Sequence, residues 1–182
     1  MRIVVLDGFS VDQGELGWEE VERLGQLEVH PRTRAADVRE RGAGAQALLT
    51  NKVPITGNDI EALPALRYIG VLATGTNVVD IEACRARSIA ITNVPGYCAS
   101  SVAQFVIALL LHFVEDLPTY IERVKNNGWA EAPDWCWLLR RRVELAEKTM
   151  AIVGLGSIGS KVAEIGKRRV GKECRSRWSP YH

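Results

Sequence analysis

Gly154-Leu-Gly156-Ser-Ile-Gly159 follows an apolar, β-branched run, Thr149-Met-Ala-Ile-Val153, and precedes a helical pattern over Lys161–Lys167. Such a strand–turn–helix passage gives each glycine a task. Gly154 permits the tight turn, Gly156 lets a pyrophosphate approach the backbone, and Gly159 lets the helix close on the strand. The helix start then offers free N–H groups and partial positive charge to phosphates. Leu155, Ser157 and Ile158 complete this candidate dinucleotide turn; a purely structural glycine turn is the alternative. The acid that would bond the adenosine ribose belongs about twenty residues on, at Trp178-Ser179-Pro180, where none stands. The strand expected before it is replaced by GKRRVGKECRSR (166–177), with six basic residues, one acid and one isolated valine. A buried parallel strand would be a near-continuous apolar run. The chain from about Lys167 therefore reads as out of frame or degenerate, with the apolar pattern lost just after an intact glycine motif.

A second candidate site is Leu72-Ala73-Thr74-Gly75-Thr76-Asn77, directly after another β-branched run. Ligands of open α/β sheets bind beyond the carboxyl ends of the strands. There the Thr74-Gly75-Thr76 turn would present backbone N–H groups and hydroxyls to a small anion such as a carboxylate, although a plain βα turn has the same spelling. Asn51-Lys52, after an earlier strand, would add a cation on the same edge or be an ordinary solvated loop. Cys84, Cys98, Cys136 and Cys174 are scattered, without a Cys-x-x-Cys or a paired histidine, and read as reduced, mostly buried thiols. His112 lies inside an apolar helical run and reads as core; His30, at a strand end, reads as surface.

The elements that must position these residues come at a steady interval. Short strand-like runs at Ile3–Leu6, Leu27–Val29, Ala47–Leu49, Tyr68–Ala73 and Ala90–Ile91 are flanked by turn residues. Helical patterns lie between most of them. Trp18, Val21 and Leu24 recur every three residues; Thr56 stands three before Asp59, a capping box; and Asp80 could cap Ile81–Arg87. The weakest unit is the polar, Gly-rich stretch Arg34–Gly44. Strands alternating with helices at about twenty residues per unit argue for a parallel, doubly wound sheet. Val94-Pro95-Gly96 then breaks the chain, and Ser101–Val114 follows as a long helix, apolar nearly all round, which should be buried between layers. In this chain that helix and the strand at Thr149–Val153 would lack most of their packing partners. Thr119–Asn127 reads as a surface helix closed by Gly128, and Trp129–Arg142 as an irregular arm or packing loop ending in three arginines.

Composition narrows the function. The chain has 182 residues, 23 Lys plus Arg against 22 Asp plus Glu, and a net charge of +1. That balance gives no global field to recruit nucleic acid or an anionic membrane. The apolar run Phe105–Val114 is about half the length needed to span a bilayer, and the opening run is halted by Asp7, unlike a signal peptide. A cytoplasmic location is expected.

VLATGTNVVD (71–80), ITNVPGYCASSVAQ (91–104) and IVGLGSIG (152–159) resemble the D-isomer-specific 2-hydroxyacid dehydrogenases. IVVLDGF (3–9) and LLTNKVPIT (48–56) are most similar to the glycerate dehydrogenases, also called hydroxypyruvate reductases. The likeness runs over about residues 1–166. It implies an α/β architecture: a flavodoxin-like, doubly wound lid (substrate) domain at 1–97, then the start of a Rossmann dinucleotide-binding domain at 98–182. It implies that Thr74-Gly75 holds a substrate carboxylate and that Asn51-Lys52 lines the same cleft. It also implies that Ser101-Val102 lies beside the nicotinamide of NAD or NADP, and that the glycine turn holds the pyrophosphate. The implied substrates are small 2-oxo and 2-hydroxy acids, and the implied assembly is a homodimer. The family's catalytic arginine, glutamate and histidine lie beyond the glycine turn and match nothing here, so an incomplete, inactive chain is expected. A non-catalytic dinucleotide-binding or dimerisation module is the alternative.

Overall fold

Five short strands, β1 (Arg2–Val5), β2 (Gln26–Val29), β3 (Ala47–Thr50), β4 (Tyr68–Val71) and β5 (Ala90–Thr92), pair in parallel in the order β2-β1-β3-β4-β5. This is the parallel, doubly wound sheet expected from the alternation of runs and turns, in the flavodoxin-like order that the family resemblance implies. The computed structural model describes residues 1–15, 17–134, 139 and 143–167. The chain divides into two compact units, Met1–Tyr97 and Cys98–His182.

In the first unit the central strands are mostly apolar, as burial on both faces requires. Every residue of β3 is buried, and so are Val4, Leu6, Ile69 and Val71. One sheet face packs Val4, Leu6, Leu48, Ile69 and Val71 against Val38, Ile60, Leu63 and Cys84; the other sets Ile3, Val5 and Leu49 against Trp18, Val21 and Leu27. The connecting helices are short: α1 (Glu19–Glu22), α2 (Val38–Gly42), α3 (Gly57–Ala62) and α4 (Ile81–Ala86). The Thr56–Asp59 capping box opens α3 in both directions, and the Asp80 carboxylate accepts from Ala83 N–H at 3.0 Å to open α4. The polar stretch at Arg34–Gly44 still forms α2, because Val38 and Gly42 give it a small buried face.

The second unit contains α5 (Ala99–Glu115), α6 (Leu117–Lys125) and α7 (Ser157–Lys167). α5 packs on α7, yet only Ala99 and Ala103 of α5 are buried. The expectation of a helix buried between layers is thus corrected: Phe105 is 63% and Phe113 74% exposed. His112 is exposed rather than core, with its ring edge-on to Phe113 at 5.9 Å. His30 is half-buried beside Glu28 rather than on the open surface. Thr149–Val153 forms no strand, since a parallel strand exists only through its ladder and no partner strand adjoins it among the described residues. Gly128 N–H returns to Arg123 O at 2.8 Å and closes α6 as expected. The basic stretch from 168 onward, Cys136 and Cys174, and the arginines at 140–142 lie outside the described residues.

Candidate functional site

Between β1 and β3 the connections change sides of the sheet. A doubly wound sheet opens its crevice at the carboxyl ends of such a pair. Here that point is bridged by the protein's own carboxylate. Asp7, 5% exposed, stands two residues past the end of β1. It accepts from Asn51 N–H at 2.8 Å and Lys52 N–H at 2.6 Å. Ser10 Oγ donates to the Asp7 main-chain oxygen at 2.7 Å and accepts from Asn51 Nδ2 at 3.0 Å. Held in this way, Asn51 keeps its Oδ1 buried with no donor to it among the described residues. Buried acceptors are nearly always satisfied, and this exception sits in a loop at the carboxyl edge of the sheet. The Lys52 side chain is exposed and makes no ion pair among the described residues.

The neighbouring loop follows β4. Leu72 N–H donates to Thr50 O at 2.7 Å, carrying the ladder to the start of the turn. Asn93 Nδ2 donates to Thr74 O at 2.7 Å and Val94 N–H to Ala73 O at 3.0 Å, so the segment after β5 holds the turn from one side. The Thr74 hydroxyl donates to Val94 O at 3.1 Å. Its proton is therefore spent within the fold. The N–H groups of Thr74 and Gly75 have no acceptor among the described residues and both residues are exposed. Asn51, Lys52, Thr74 and Gly75 thus stand on adjacent loops at one sheet edge, with a cation and two donors that have no partner among the described residues. Among the described residues no cluster of His, Cys, Asp and Glu could hold a metal ion.

In the second unit, Gly154 has φ +94°, a conformation side-chain-bearing residues rarely adopt. A Cβ at Gly159 would strike the Gly154 carbonyl oxygen, whereas one at Gly156 would meet nothing within 4 Å. The first-turn N–H groups of α7 have no intrahelical acceptors. Ser160 N–H bonds Gly156 O at 2.9 Å and its hydroxyl donates to Leu155 O at 3.1 Å, tightening the entry. This arrangement fits a pyrophosphate: a glycine forced to positive φ, open space above the second glycine, and the third closed on the turn. Leu155 and Ile158 are exposed beside it, and Val102, 36% exposed, sits in the first turn of α5.

The model of the D-isomer specific 2-hydroxyacid dehydrogenase catalytic domain matches residues 3–174. The chain belongs to this family. The family is NAD(P)-dependent. Over 170 residues the chain is 39% identical to a hydroxypyruvate reductase of Blautia hydrogenotrophica, covering 92% of this chain and 53% of that one. It is 30% identical over 128 residues to a glycerate dehydrogenase of Methylorubrum extorquens, covering 70% and 41% respectively. The fold is shared with an acyclic imino acid reductase solved with NADPH and D-Arg: TM-score 0.75, 22% identity, over 92% of this chain and 53% of that one. The chain spans about half the length of the curated relatives it matches.

Sequence reasoning passed over Asp7, Ser10 and Asn93. Asp7 was legible only as the acid that halts the first apolar run. The usable signal was its position, a carboxylate at the carboxyl end of a buried central strand. Ser10 and Asn93 carry no such mark, because the loops they tie to, at Asn51 and Thr74, lie 41 and 19 residues away along the chain.

Proposed function

We propose that this chain carries the substrate-side loops and the nucleotide-anchoring turn of a cytoplasmic NAD(P)-dependent oxidoreductase acting on small 2-hydroxy acids. Residues 1–97 form the substrate domain and 98–182 the start of the cofactor domain. Hydroxypyruvate or glyoxylate is reduced, and D-glycerate oxidised. The observation that carries this reading is the pair of adjacent loops after β3 and β4. They leave the Lys52 ammonium and the Thr74 and Gly75 N–H groups without a partner among the described residues, at the carboxyl edge of the sheet.

The substrate carboxylate accepts from the Thr74 and Gly75 amides, donors that need no reorganisation as the anion arrives. Lys52 adds a charge on the same edge and steers the anion in. In the second unit the N-terminus of α7, entered through Gly154–Gly159, binds the pyrophosphate, and Val102 lines the nicotinamide side. The cofactor supplies or receives the hydride when bound.

Calorimetric titration with NADH tests the cofactor half. Gly156→Ala places a methyl where only ligand would meet it, so it should weaken NADH about tenfold or more while leaving the melting temperature unchanged. Gly159→Ala should lower both, because its methyl meets the Gly154 carbonyl. A wild-type chain without affinity for NADH removes that half of the reading. For the substrate half, Lys52→Met should weaken binding of oxamate, an unreactive isostere of small 2-oxo acids, about tenfold, as loss of one charge contact implies.

A second reading, a dimerisation module, is favoured by the exposed Phe105, Leu109 and Phe113 of α5. Sedimentation equilibrium showing a monomer at all concentrations would set it aside.

A further inference from the structure

Asp7 is a buried carboxylate that the proposed chemistry does not use. It lies at the point where doubly wound sheets receive ligands, and it spends both oxygens on the backbone. Oδ1 accepts from Asn51 N–H and Oδ2 from Lys52 N–H. Ser10 Oγ, at 3.3 Å from Oδ2, joins the same knot and ties the Asn51 side chain to the loop after β1. A buried charge is tolerated where hydrogen bonds satisfy it, and bonds to a charged acceptor are roughly twice as strong as neutral ones. Two consecutive amides clamped by one carboxylate leave the main chain at Asn51–Lys52 little freedom, so the Lys52 side chain departs from a fixed point.

We propose that Asp7 is the positioning residue of the substrate edge: it bridges the β1/β3 crevice and fixes the Asn51–Lys52 turn, directing small 2-oxo acid anions to the next loop. Access is thereby confined to the edge between β3 and β4, where Thr74 and Gly75 offer unused amides. This inference rests on the proposed 2-oxo acid site for its ligand half and on geometry alone for its positioning half.

The test is amide NMR of the whole 182-residue chain. In the wild-type protein, scalar couplings across the hydrogen bonds should connect the Asn51 and Lys52 nitrogens to the Asp7 side-chain carboxyl carbon. Their absence overturns the clamp without need of a variant. In Asp7→Asn, hydrogen exchange at Asn51 and Lys52 should quicken about tenfold or more while Leu48 and Leu49 keep their protection. Unchanged exchange at the two loop amides, or an equal rise throughout β3, overturns the positioning role. Oxamate should shift the Lys52, Thr74 and Gly75 amides of the wild type, and Asp7→Asn should raise its dissociation constant about tenfold, up to the hundredfold that a misplacement of about 1 Å can cost. A lower melting temperature with unchanged affinity would make Asp7 merely structural and overturn the proposal. If the wild type shows no saturable response to oxamate, the 2-oxo acid reading and this ligand half fall together, while the coupling and exchange data still decide the clamp.

Discussion

Two ionisable groups away from the substrate edge are governed by opposite balances. Burial of Asp59 raises its pKa, but the hydrogen bonds from the Thr56 hydroxyl and the Arg39 guanidinium outweigh it, and the net shift is downward. The partners lie at 2.6 and 2.7 Å. The native carboxyl therefore holds its proton less tightly than the unfolded one. Its stabilising contribution is present above the ordinary carboxylate range and is lost as the pH falls through that range towards the lower native value. Urea unfolding should show stability declining below about pH 4, and Asp59→Asn should flatten that decline while costing about 2 kcal/mol at neutral pH. Equal acid slopes in the two proteins would remove Asp59 from the account. Cys84 is the reverse case: burial, and then the nearby Asp80 carboxylate, push its thiol upward, against a smaller opposing effect of Arg87. Since the thiolate is the nucleophile, site-resolved labelling should leave Cys84 unmodified in the native chain while half-exposed Cys98 reacts. Labelling of both at one rate would contradict the burial described for Cys84.

At the scale of elements, the short helices of the first unit depend on their ends. Arg87, just past α4, donates to the carbonyls of Ile60, Leu63 and Pro64, of which the last two lie at 3.2 Å. It satisfies the carbonyls that the C-terminus of α3 leaves over. Arg87→Met keeps the aliphatic stem and should cost about 2 kcal/mol in thermal unfolding; a change below about 0.5 kcal/mol would mean that water replaces it. The sequence shows Arg87 only as a basic residue near a helix end. What it bonds is set by how α3 and α4 meet. The same division decides what else was legible. β1 through β5, the Thr56 box and the Asp80 cap announce themselves locally, through apolar runs and residues three apart, and all stand as expected. Elements that exist only through partners do not. Thr149–Val153 has strand composition without a neighbouring strand among the described residues, and α5 has core composition yet buries only Ala99 and Ala103. At the substrate edge the loops were legible from glycine and position, whereas the Asp7 clamp joins residues 44 and 45 apart in the chain and has no periodic signature.

For the molecule as a whole, apolar burial is unevenly shared. Among the described residues only Ala99, Ala103 and Val162 of the second unit join the buried apolar set, and all the others belong to the first. Burial contributes roughly 25 cal/mol per Å² of apolar surface, so the first unit has a core whose loss must be felt cooperatively. Leu48, with no exposed surface, lies in the middle of that core beside Val4, Ile60 and Ile69. Truncating it in Leu48→Ala removes the transfer term and leaves a cavity between rigid strands, so the unfolding free energy of that unit should fall by about 2–5 kcal/mol. Native-state hydrogen exchange is the suitable measurement, because it reports each segment separately. In the wild type the slowest amides should be those of Val4, Val5, Leu48 and Ile69, exchanging only by unfolding of the whole unit, and Leu48→Ala should accelerate all four by one common factor. Four different factors would mean that the sheet opens strand by strand, and the five strands would then be a stack of local contacts rather than one cooperative core.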